Sequence, residues 1–143
     1  MTYTTMVRPR WSDMDVFGHV NHASIVTLLE EARVELLFGR AGAEGLTGLA
    51  KGVVVVRLSV DYRAPLVVDG GAVRVEMSLT ELKSASFTLD YKVDGGQSDS
   101  DQVAVVARTV LAPYDVDGAR PRRLADAEQR FLTQWLGEGE SGA

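Results

Sequence analysis

Cysteine is absent from this chain of 143 residues. Its absence excludes disulfides, thiolate zinc sites, iron–sulfur clusters and cysteine nucleophiles. Histidine is limited to His19 and His22, so a mechanism that needs several imidazoles is excluded as well. The longest apolar stretches fall far short of the roughly 20 residues of a membrane-spanning helix, and the first residues lack the apolar run of a signal peptide. We therefore expect a cytoplasmic protein that does not associate with membranes.

Basic charge is also scarce, with 15 Lys and Arg residues against 20 Asp and Glu residues. Nucleic acids and anionic membranes are bound through basic surfaces, so neither is expected as a partner of a chain with net charge -5. Hydrophobic residues make up 45% of the chain, which is enough for a buried core without a metal or a disulfide. The length predicts a single domain over residues 1–143.

One long pattern predicts a helix. Asn21 is a favourable N-cap, because its side-chain oxygen can accept a hydrogen bond from a free amide of the first turn. Gly39 and Gly42 predict the end of this helix. Apolar residues recur between these limits at spacings of three and four, at Ile25, Leu28, Leu29, Ala32 and Leu36.

Apolar and polar residues alternate along much of the remaining chain, which is typical of antiparallel strands with one buried face. The predicted strands are Tyr3–Arg10, Val53–Tyr62, Ala72–Leu82, Phe87–Val93 and Val103–Leu111. The last of them does not alternate: it is apolar on both faces, as expected of a strand that is covered on both sides. In the second of them the even positions 54–62 are all apolar. A C-terminal helix is predicted at about residues 123–136, followed by a disordered tail over 137–143. This order predicts an α+β fold, in which a curved antiparallel sheet wraps around the long helix.

Ionisable residues are concentrated between Asp13 and His22, immediately before the helix. A helix N-terminus presents free amides and a partial positive charge, so it can polarise a carbonyl. A neighbouring carboxylate could attack that carbonyl or deprotonate a water that does so. The segment therefore indicates a hydrolase of activated esters, above all thioesters, that uses one carboxylate and needs neither a metal nor an organic cofactor.

Two other interpretations of the same segment stay open. Asp13 and Asp15 could be loop and cap residues without a chemical role. His19 and His22, together with Asp13 or Asp15, could furnish a metal site of two histidines and one carboxylate. His19 lies before the proposed cap and His22 after it, so the two need not share a helical face.

Residues 7–21, with the block Asp-x-Asp-x-x-Gly-His-Val-Asn that ends at Asn21, resemble the signature of the hotdog-fold acyl-CoA thioesterases of the 4-hydroxybenzoyl-CoA thioesterase type. The sequence Leu-Leu-Glu-Glu-Ala-Arg that ends at Arg33 is similar too, as are Val54–Pro65, the pair Asp69-Gly70 and the segment Lys83–Phe87. The resemblance covers about residues 5–113. The family often has a second Asn and then a Tyr where this chain has His22 and Ile25.

The resemblance implies a hotdog domain with a core at about residues 3–113, assembled as a homodimer or homotetramer. It implies that Asp15 is the catalytic residue. Gly18, Asn21 and the backbone amide of His22 would position the thioester and hold the oxyanion. Lys83, Ser84 and Ser86 would contact coenzyme A.

The predicted function is therefore hydrolysis of an acyl-CoA, or of the corresponding acyl carrier protein thioester, to a carboxylic acid and the free thiol. A non-catalytic domain that binds acyl-CoA or acyl carrier protein is the alternative from another class. A metal-dependent hydrolase that uses His19 and His22 is the third hypothesis.

Overall fold

The computed structural model describes residues 1–68, 71–96 and 102–137. Within these ranges the strands are β1 (Tyr3–Val7), β2 (Val53–Tyr62), β3 (Val73–Leu82), β4 (Phe87–Asp94), β5 (Val105–Asp115) and β6 (Arg120–Pro121). The α-helices are α1 (His22–Val34), α2 (Ala41–Ala43), α3 (Gly48–Lys51) and α4 (Asp126–Thr133). The predicted pair Asp69-Gly70 and the predicted tail after Gly137 lie outside the described residues. No helix in the described ranges is long and apolar enough to cross a bilayer.

A single antiparallel sheet in the order β1-β3-β4-β5-β2 forms most of the molecule, and β6 adds to β5. Along β3, β4 and β5, successive side chains point to opposite faces of the sheet. Those on one face are buried in the core, and those on the other face are more exposed. The sheet curls around α1, and the two together enclose one hydrophobic core. The prediction of an α+β fold with a curved sheet wrapped around a long helix is confirmed.

Strand β2 is the outermost strand on its side of the sheet, and most of its residues are exposed. A register shift between Val55 and Arg57 places a bulge at Val56. The predicted alternation is therefore wrong across this bulge: Val54 and Leu58 face opposite sides of the sheet. The concave side carries Val55, Leu58 and Tyr62, which stay 39–48% exposed. An apolar row thus remains open along this edge.

Helix α1 begins as predicted, with the side chain of Asn21 accepting a hydrogen bond from the amide of Ala23 at 2.9 Å. The prediction that it ends at Gly39 and Gly42 is wrong. The helix passes through a π-helical segment at Glu35–Arg40 and then through α2. The turn after α2 contains Gly45, whose φ of 82° favours glycine. Glycine weakens a helix by only about 1 kcal/mol, and burial of Leu36 and Leu37 outweighs that cost.

The C-terminal helix is shorter than predicted. An ion pair holds its start: both terminal nitrogens of Arg122 donate to the carboxylate of Glu128 at 2.8 Å. Burial alone would raise the pKa of Glu128, but the hydrogen bonds from Arg122 and from the Ala125 amide outweigh it and lower that pKa. Beyond the helix, the amide of Gly137 donates to the carbonyl of Leu79 at 2.9 Å. The last described residue is therefore fixed against β3.

Strand β5 begins later and ends later than predicted, at Val105 and Asp115. Ala104 immediately precedes it, and its carbonyl accepts hydrogen bonds from the amides of Arg63 and Ala64. Pro113 lies within the strand opposite Val53. The remaining predicted strands differ from the observed ones by at most three residues at an end.

Candidate active site

The loop that contains Asp15 connects β1 to α1 and is fixed at both ends. Its first part is a 3₁₀ turn at Trp11–Asp13. The side chain of Asp13 is buried and accepts hydrogen bonds from the amide of Arg10 at 2.7 Å and from its guanidinium at 3.0 Å. The amide of Asn21 donates to the carbonyl of Asp13 at 2.7 Å, which ties the loop to the start of α1.

Asp13 is therefore a structural residue, as the interpretation of this acid as a loop residue predicted. The hydrogen bond from Arg10 lowers the pKa of its carboxyl below the ordinary range. Both carboxylate oxygens accept hydrogen bonds from Arg10, which fits a role in anchoring the loop.

Asp15 lies in a tight turn, and hydrogen bonds within that turn orient its carboxylate. Its backbone amide donates to the carbonyl of His19 at 2.8 Å, and Gly18, with φ of 80°, allows the chain to reverse. One side-chain oxygen, Oδ1, accepts from the amides of Phe17 at 2.8 Å and His19 at 3.1 Å. No hydrogen bond to the second oxygen, Oδ2, is found within the part of the chain that the structure describes. Hydrogen bonds to Oδ1 therefore fix the orientation of the carboxylate, and Oδ2 has no hydrogen-bond partner among the described residues.

Asp15 and His22 line the same shallow cavity at the start of α1. One short antiparallel bridge between His19 and Val67 forms part of its wall, with the Val20 amide donating to the Leu66 carbonyl at 3.0 Å. The remaining lining comes from helix α1 and from the end of β2, and the full set is Asp15, His19, Val20, His22, Ile25, Tyr62, Arg63, Ala64, Pro65 and Leu66. The predicted carboxylate and the predicted first-turn amide therefore belong to one site.

Tyr62 also lines the cavity, whereas the sequence predicts it only as an apolar position of a strand. Its hydroxyl donates to the carbonyl of His22 at 2.7 Å, and its ring stands edge-on to the imidazole of His22. The hydrogen bond anchors the first turn of α1 to the end of β2. A tyrosine at the last position of a strand, followed by Arg63, was the available signal, but its partner is 40 residues away in sequence.

Gly18 and Asn21 act through the backbone geometry of the loop and the helix cap, and neither lines the cavity. His22 is the first residue of α1, so its amide is one of the unpaired amides of the helix N-terminus. In the residues that the structure describes, no group of three or more His, Asp or Glu side chains is placed to hold a metal ion. The pair His19 and His22 therefore lacks a third protein ligand there.

Lys83, Ser84 and Ser86 form the turn between β3 and β4, and the structure does not bring them to Asp15 within one chain. Val7, which precedes the Asp15 loop, pairs with Val73 at the beginning of β3, whereas Lys83 follows its end. Ten residues of strand separate the two ends by roughly 33 Å at about 3.3 Å per residue. Lys83 is exposed and forms an ion pair with Glu81 at 3.1 Å.

A sheet curled around one helix, with a carboxylate beside the first turn of that helix, defines the hotdog class of thioesterase folds. The model of the thioesterase-like superfamily matches residues 9–136, and the chain therefore belongs to that superfamily. The match does not distinguish the narrower 4-hydroxybenzoyl-CoA thioesterase type.

Solved structures are similar over nearly the whole chain. A predicted thioesterase from Bacillus stearothermophilus is 23% identical, with a TM-score of 0.79 over 96% of this chain and 98% of that one. A 1,4-dihydroxy-2-naphthoyl-CoA thioesterase from Synechocystis is 19% identical, with a TM-score of 0.74 over 93% and 96% of the two chains. A Thermus thermophilus thioesterase in complex with coenzyme A and zinc is 25% identical, with a TM-score of 0.69 over 98% and 94%.

One curated relative matches in sequence, the long-chain acyl-CoA thioesterase FadM of Escherichia coli. It is 34% identical over 65 residues, which are 46% of this chain and 49% of that protein. The chain thus spans about half the length of the curated relative it matches.

Proposed function

We propose that this chain hydrolyses acyl-CoA thioesters to a carboxylic acid and free coenzyme A, with Asp15 as the catalytic carboxylate. The proposal is supported by the hydrogen bonds of the Asp15 carboxylate. Its Oδ1 accepts from two amides, while its Oδ2 accepts no hydrogen bond in the described structure. The thioesterases among the similar proteins support the reaction class, and a CoA-bound structure among them supports coenzyme A as the carrier. The narrower kinship with 4-hydroxybenzoyl-CoA thioesterases and the cytoplasmic location belong to the same proposal.

The chemistry balances with water as the only co-substrate. The carbonyl carbon of the thioester gains an oxygen, the carbon–sulfur bond breaks, and the thiolate leaves with a proton from the incoming water. The first-turn amide of His22 donates a hydrogen bond to the carbonyl oxygen as negative charge develops there, aided by the partial positive charge of the helix N-terminus. Asp15 acts on the carbonyl directly as a nucleophile, or through a water as a general base.

A thiol-release assay across acyl-CoA chain lengths tests the function, and Asp15→Asn tests the residue. The amide keeps the size of the side chain and can still accept from Phe17 and His19, so the loop is retained. Loss of the carboxylate should lower kcat by about 10²–10⁴ with little change in KM, because the remaining contacts to substrate persist.

The matched control is His22→Ala, which keeps the backbone amide and should cost far less. Near-normal turnover of Asp15→Asn, combined with loss of activity in His22→Ala or with a chelator, would contradict the role of Asp15. It would support a mechanism that uses the histidines and a metal. Tight binding of acyl-CoA without thiol release under any condition would show a binding domain instead. Single-turnover hydrolysis in ¹⁸O water separates the two roles of Asp15, because only a nucleophilic aspartate incorporates the label into the protein.

The coenzyme A contacts of Lys83, Ser84 and Ser86 fit this proposal only if a second copy of the chain supplies them. Two copies joined along their β2 edges in antiparallel register are related by a two-fold axis, which reverses one sheet relative to the other. The β3–β4 turn of one copy then lies at the same end as the Asp15 loop of its partner. The open edge and the exposed concave side of β2 favour this assembly.

A further inference from the structure

The first peptide group of α1 is held on both sides by side chains. Its N–H, which belongs to Ala23, donates to the side-chain oxygen of Asn21 at 2.9 Å. Its carbonyl, which belongs to His22, accepts from the hydroxyl of Tyr62 at 2.7 Å. A peptide group is planar, so these two contacts restrict its tilt and, with it, the position of the His22 Cα to which it is attached. Asn21 is the ordinary cap of a helix, whereas Tyr62 is an additional contact that comes from the sheet.

The amide of His22 lies immediately before this peptide group and is available to a ligand. Its neighbours are engaged, since the amide of Ala23 donates to the side chain of Asn21 and the amide of Ile25 donates to the carbonyl of Asn21 at 3.2 Å. For the His22 amide, no acceptor is found in the described part of the chain. His22 and Asp15 line the same cavity. The unengaged amide and the carboxylate are therefore placed to act on one carbonyl group.

Tyr62 takes its own position from the sheet and not from the helix. It is the last residue of β2 and pairs with Val105 of β5. The amides of the two residues that follow it, Arg63 and Ala64, both donate to the carbonyl of Ala104, at 2.8 Å and 3.1 Å. The backbone on both sides of Tyr62 is thus hydrogen-bonded to the beginning of β5. Its hydroxyl therefore ties the first turn of α1 to a fixed part of the fold.

The exposure of Tyr62 separates the stability of the protein from the geometry of the site. Because the residue is 48% exposed, water can reach the His22 carbonyl when the hydroxyl is removed. An acceptor that water can satisfy is not left unpaired, so the loss costs little stability. Water does not replace the fixed distance between the sheet and the helix, and a displacement of about 1 Å can slow a reaction by about 10²-fold.

We infer that Tyr62 is a positioning residue of the thioesterase site, whose hydroxyl holds the first peptide group of α1 so that the His22 amide meets the thioester carbonyl. This inference rests on the proposed function, because it takes that amide as the donor to the developing oxyanion. An oxyanion donor contributes fully only when it lies about 2.7–3.1 Å from the charge that develops. Tyr62 thus acts on the rate through His22 and does not itself touch the reacting atoms.

Tyr62→Phe tests the hydroxyl alone, because it keeps the ring that stands edge-on to His22. Removing an oxyanion donor outright costs about 10²–10³ in kcat, so a donor that is kept but loosened should cost about 5- to 50-fold. KM for an acyl-CoA and the midpoint of urea unfolding should change little. Incorporation of 4-aminophenylalanine at position 62 restores an N–H donor at the same place on the ring and should recover most of the lost kcat.

Tyr3→Phe is the matched control. The hydroxyl of Tyr3 also ties a strand to the helical run, since it donates to Glu35 at 3.0 Å, but Tyr3 and Glu35 do not line the cavity at Asp15. This variant should lose stability and keep its kcat. The two tyrosines therefore separate a contact that supports the fold from one that positions the site.

Infrared spectroscopy measures the contact at the carbonyl itself. An acyl-CoA labelled with ¹³C at the thioester carbon, bound to Asp15→Asn, should show its carbonyl band at a lower wavenumber than the free ester, because an amide donor weakens the C=O bond. Adding Tyr62→Phe to this variant should move the band back toward that of the free ester. Adding Tyr3→Phe should leave it in place.

An unchanged kcat in Tyr62→Phe, or a carbonyl band that Tyr62→Phe does not move, would overturn the inference. Equal losses of kcat and of stability in Tyr62→Phe and Tyr3→Phe would make the effect one of folding and would overturn it too. Absence of thiol release by the unaltered chain has a different meaning, because it would contradict the proposed function on which the inference rests.

Discussion

Asp13 and Asp15 are separated by one residue but differ in what surrounds their carboxylates. The carboxylate of Asp13 is buried and fully engaged by Arg10, which lowers its pKa. The carboxylate of Asp15 is half-buried and engaged through one oxygen only. The same side chain is thus a loop anchor at one position and a candidate catalyst at the other.

Asp13→Asn should therefore destabilise the protein and spare the turnover of the molecules that remain folded. An amide nitrogen would meet the N–H groups of Arg10, leaving a buried donor unpaired at a cost of about 1–3 kcal/mol. Because the folded-state pKa of Asp13 is lowered, its contribution is present above the ordinary pKa of an aspartate and is lost as the pH falls through the folded-state value.

Urea unfolding of the unaltered chain and Asp13→Asn at neutral pH and near pH 3 checks this expectation. The difference in the free energy of unfolding should shrink at the acidic pH. A stability equal to that of the unaltered chain at neutral pH would contradict the anchoring role. Asp15→Asn is the internal control, since it should change turnover and not stability.

The sequence predicts the residues whose hydrogen-bond partners lie close to them in the chain. Asn21 caps α1 through an amide two residues away, and Asp15 is held by amides two and four residues away. Tyr62 and Arg33 form hydrogen bonds to partners 40 and 58 residues distant in sequence. No period or motif encodes such a pairing, because it exists only after β2 and β4 have taken their places beside α1.

Among the elements, the turn between β3 and β4 is the one whose proposed role depends on a second copy. Lys83→Ala should raise KM for acyl-CoA by about tenfold or more, because a charge-assisted contact to a coenzyme A phosphate is lost. An acyl thioester of N-acetylcysteamine lacks the nucleotide and should be hydrolysed equally well by both proteins. Lys92→Ala, which removes another exposed lysine of the sheet, is the matched control.

Steady-state kinetics with both thioesters decides the matter. Equal changes of KM for the two substrates would make Lys83 a structural residue that acts through Glu81. A loss with Lys92→Ala as large as that with Lys83→Ala would show a general effect of charge and remove the specific role of the turn.

Helices and strands could be predicted wherever the buried residues follow the spacing of the apolar residues in the sequence. Strand β2 has the predicted bounds, and the start of α1 was predicted to the residue. The end of the helix was not, because core packing of Leu36 and Leu37 carries the chain through Gly39. The bulge at Val56 was not either, since four consecutive valines at Val53–Val56 give the same apolar pattern in both registers.

At the scale of the whole molecule, the proposed homodimer has a direct test. Light scattering at micromolar concentration should give the mass of a dimer or a tetramer rather than 15.5 kDa. The exposed apolar residues Val55 and Leu58, joined by Trp11 and Phe17 of the loop, supply the surface that a second copy would cover.

Leu58→Lys places a charge in the middle of the apolar row of β2 and should shift the mass toward the monomer. Lys92→Ala serves again as the control, because it leaves that row intact. A stable monomer of the unaltered chain at micromolar concentration would contradict the assembly, and with it the route by which Lys83 reaches coenzyme A.

Strand β2 carries both the open edge and Tyr62, the residue that anchors the first turn of α1. If two copies join along that edge, the position of the His22 amide, the proposed oxyanion donor, depends on protein concentration. Specific activity would then fall as the protein is diluted below the dissociation constant of the dimer, and substrate would drive reassociation by binding only the joined form. The rate per molecule would then depend on protein concentration, because β2 both joins the two copies and anchors the first turn of α1.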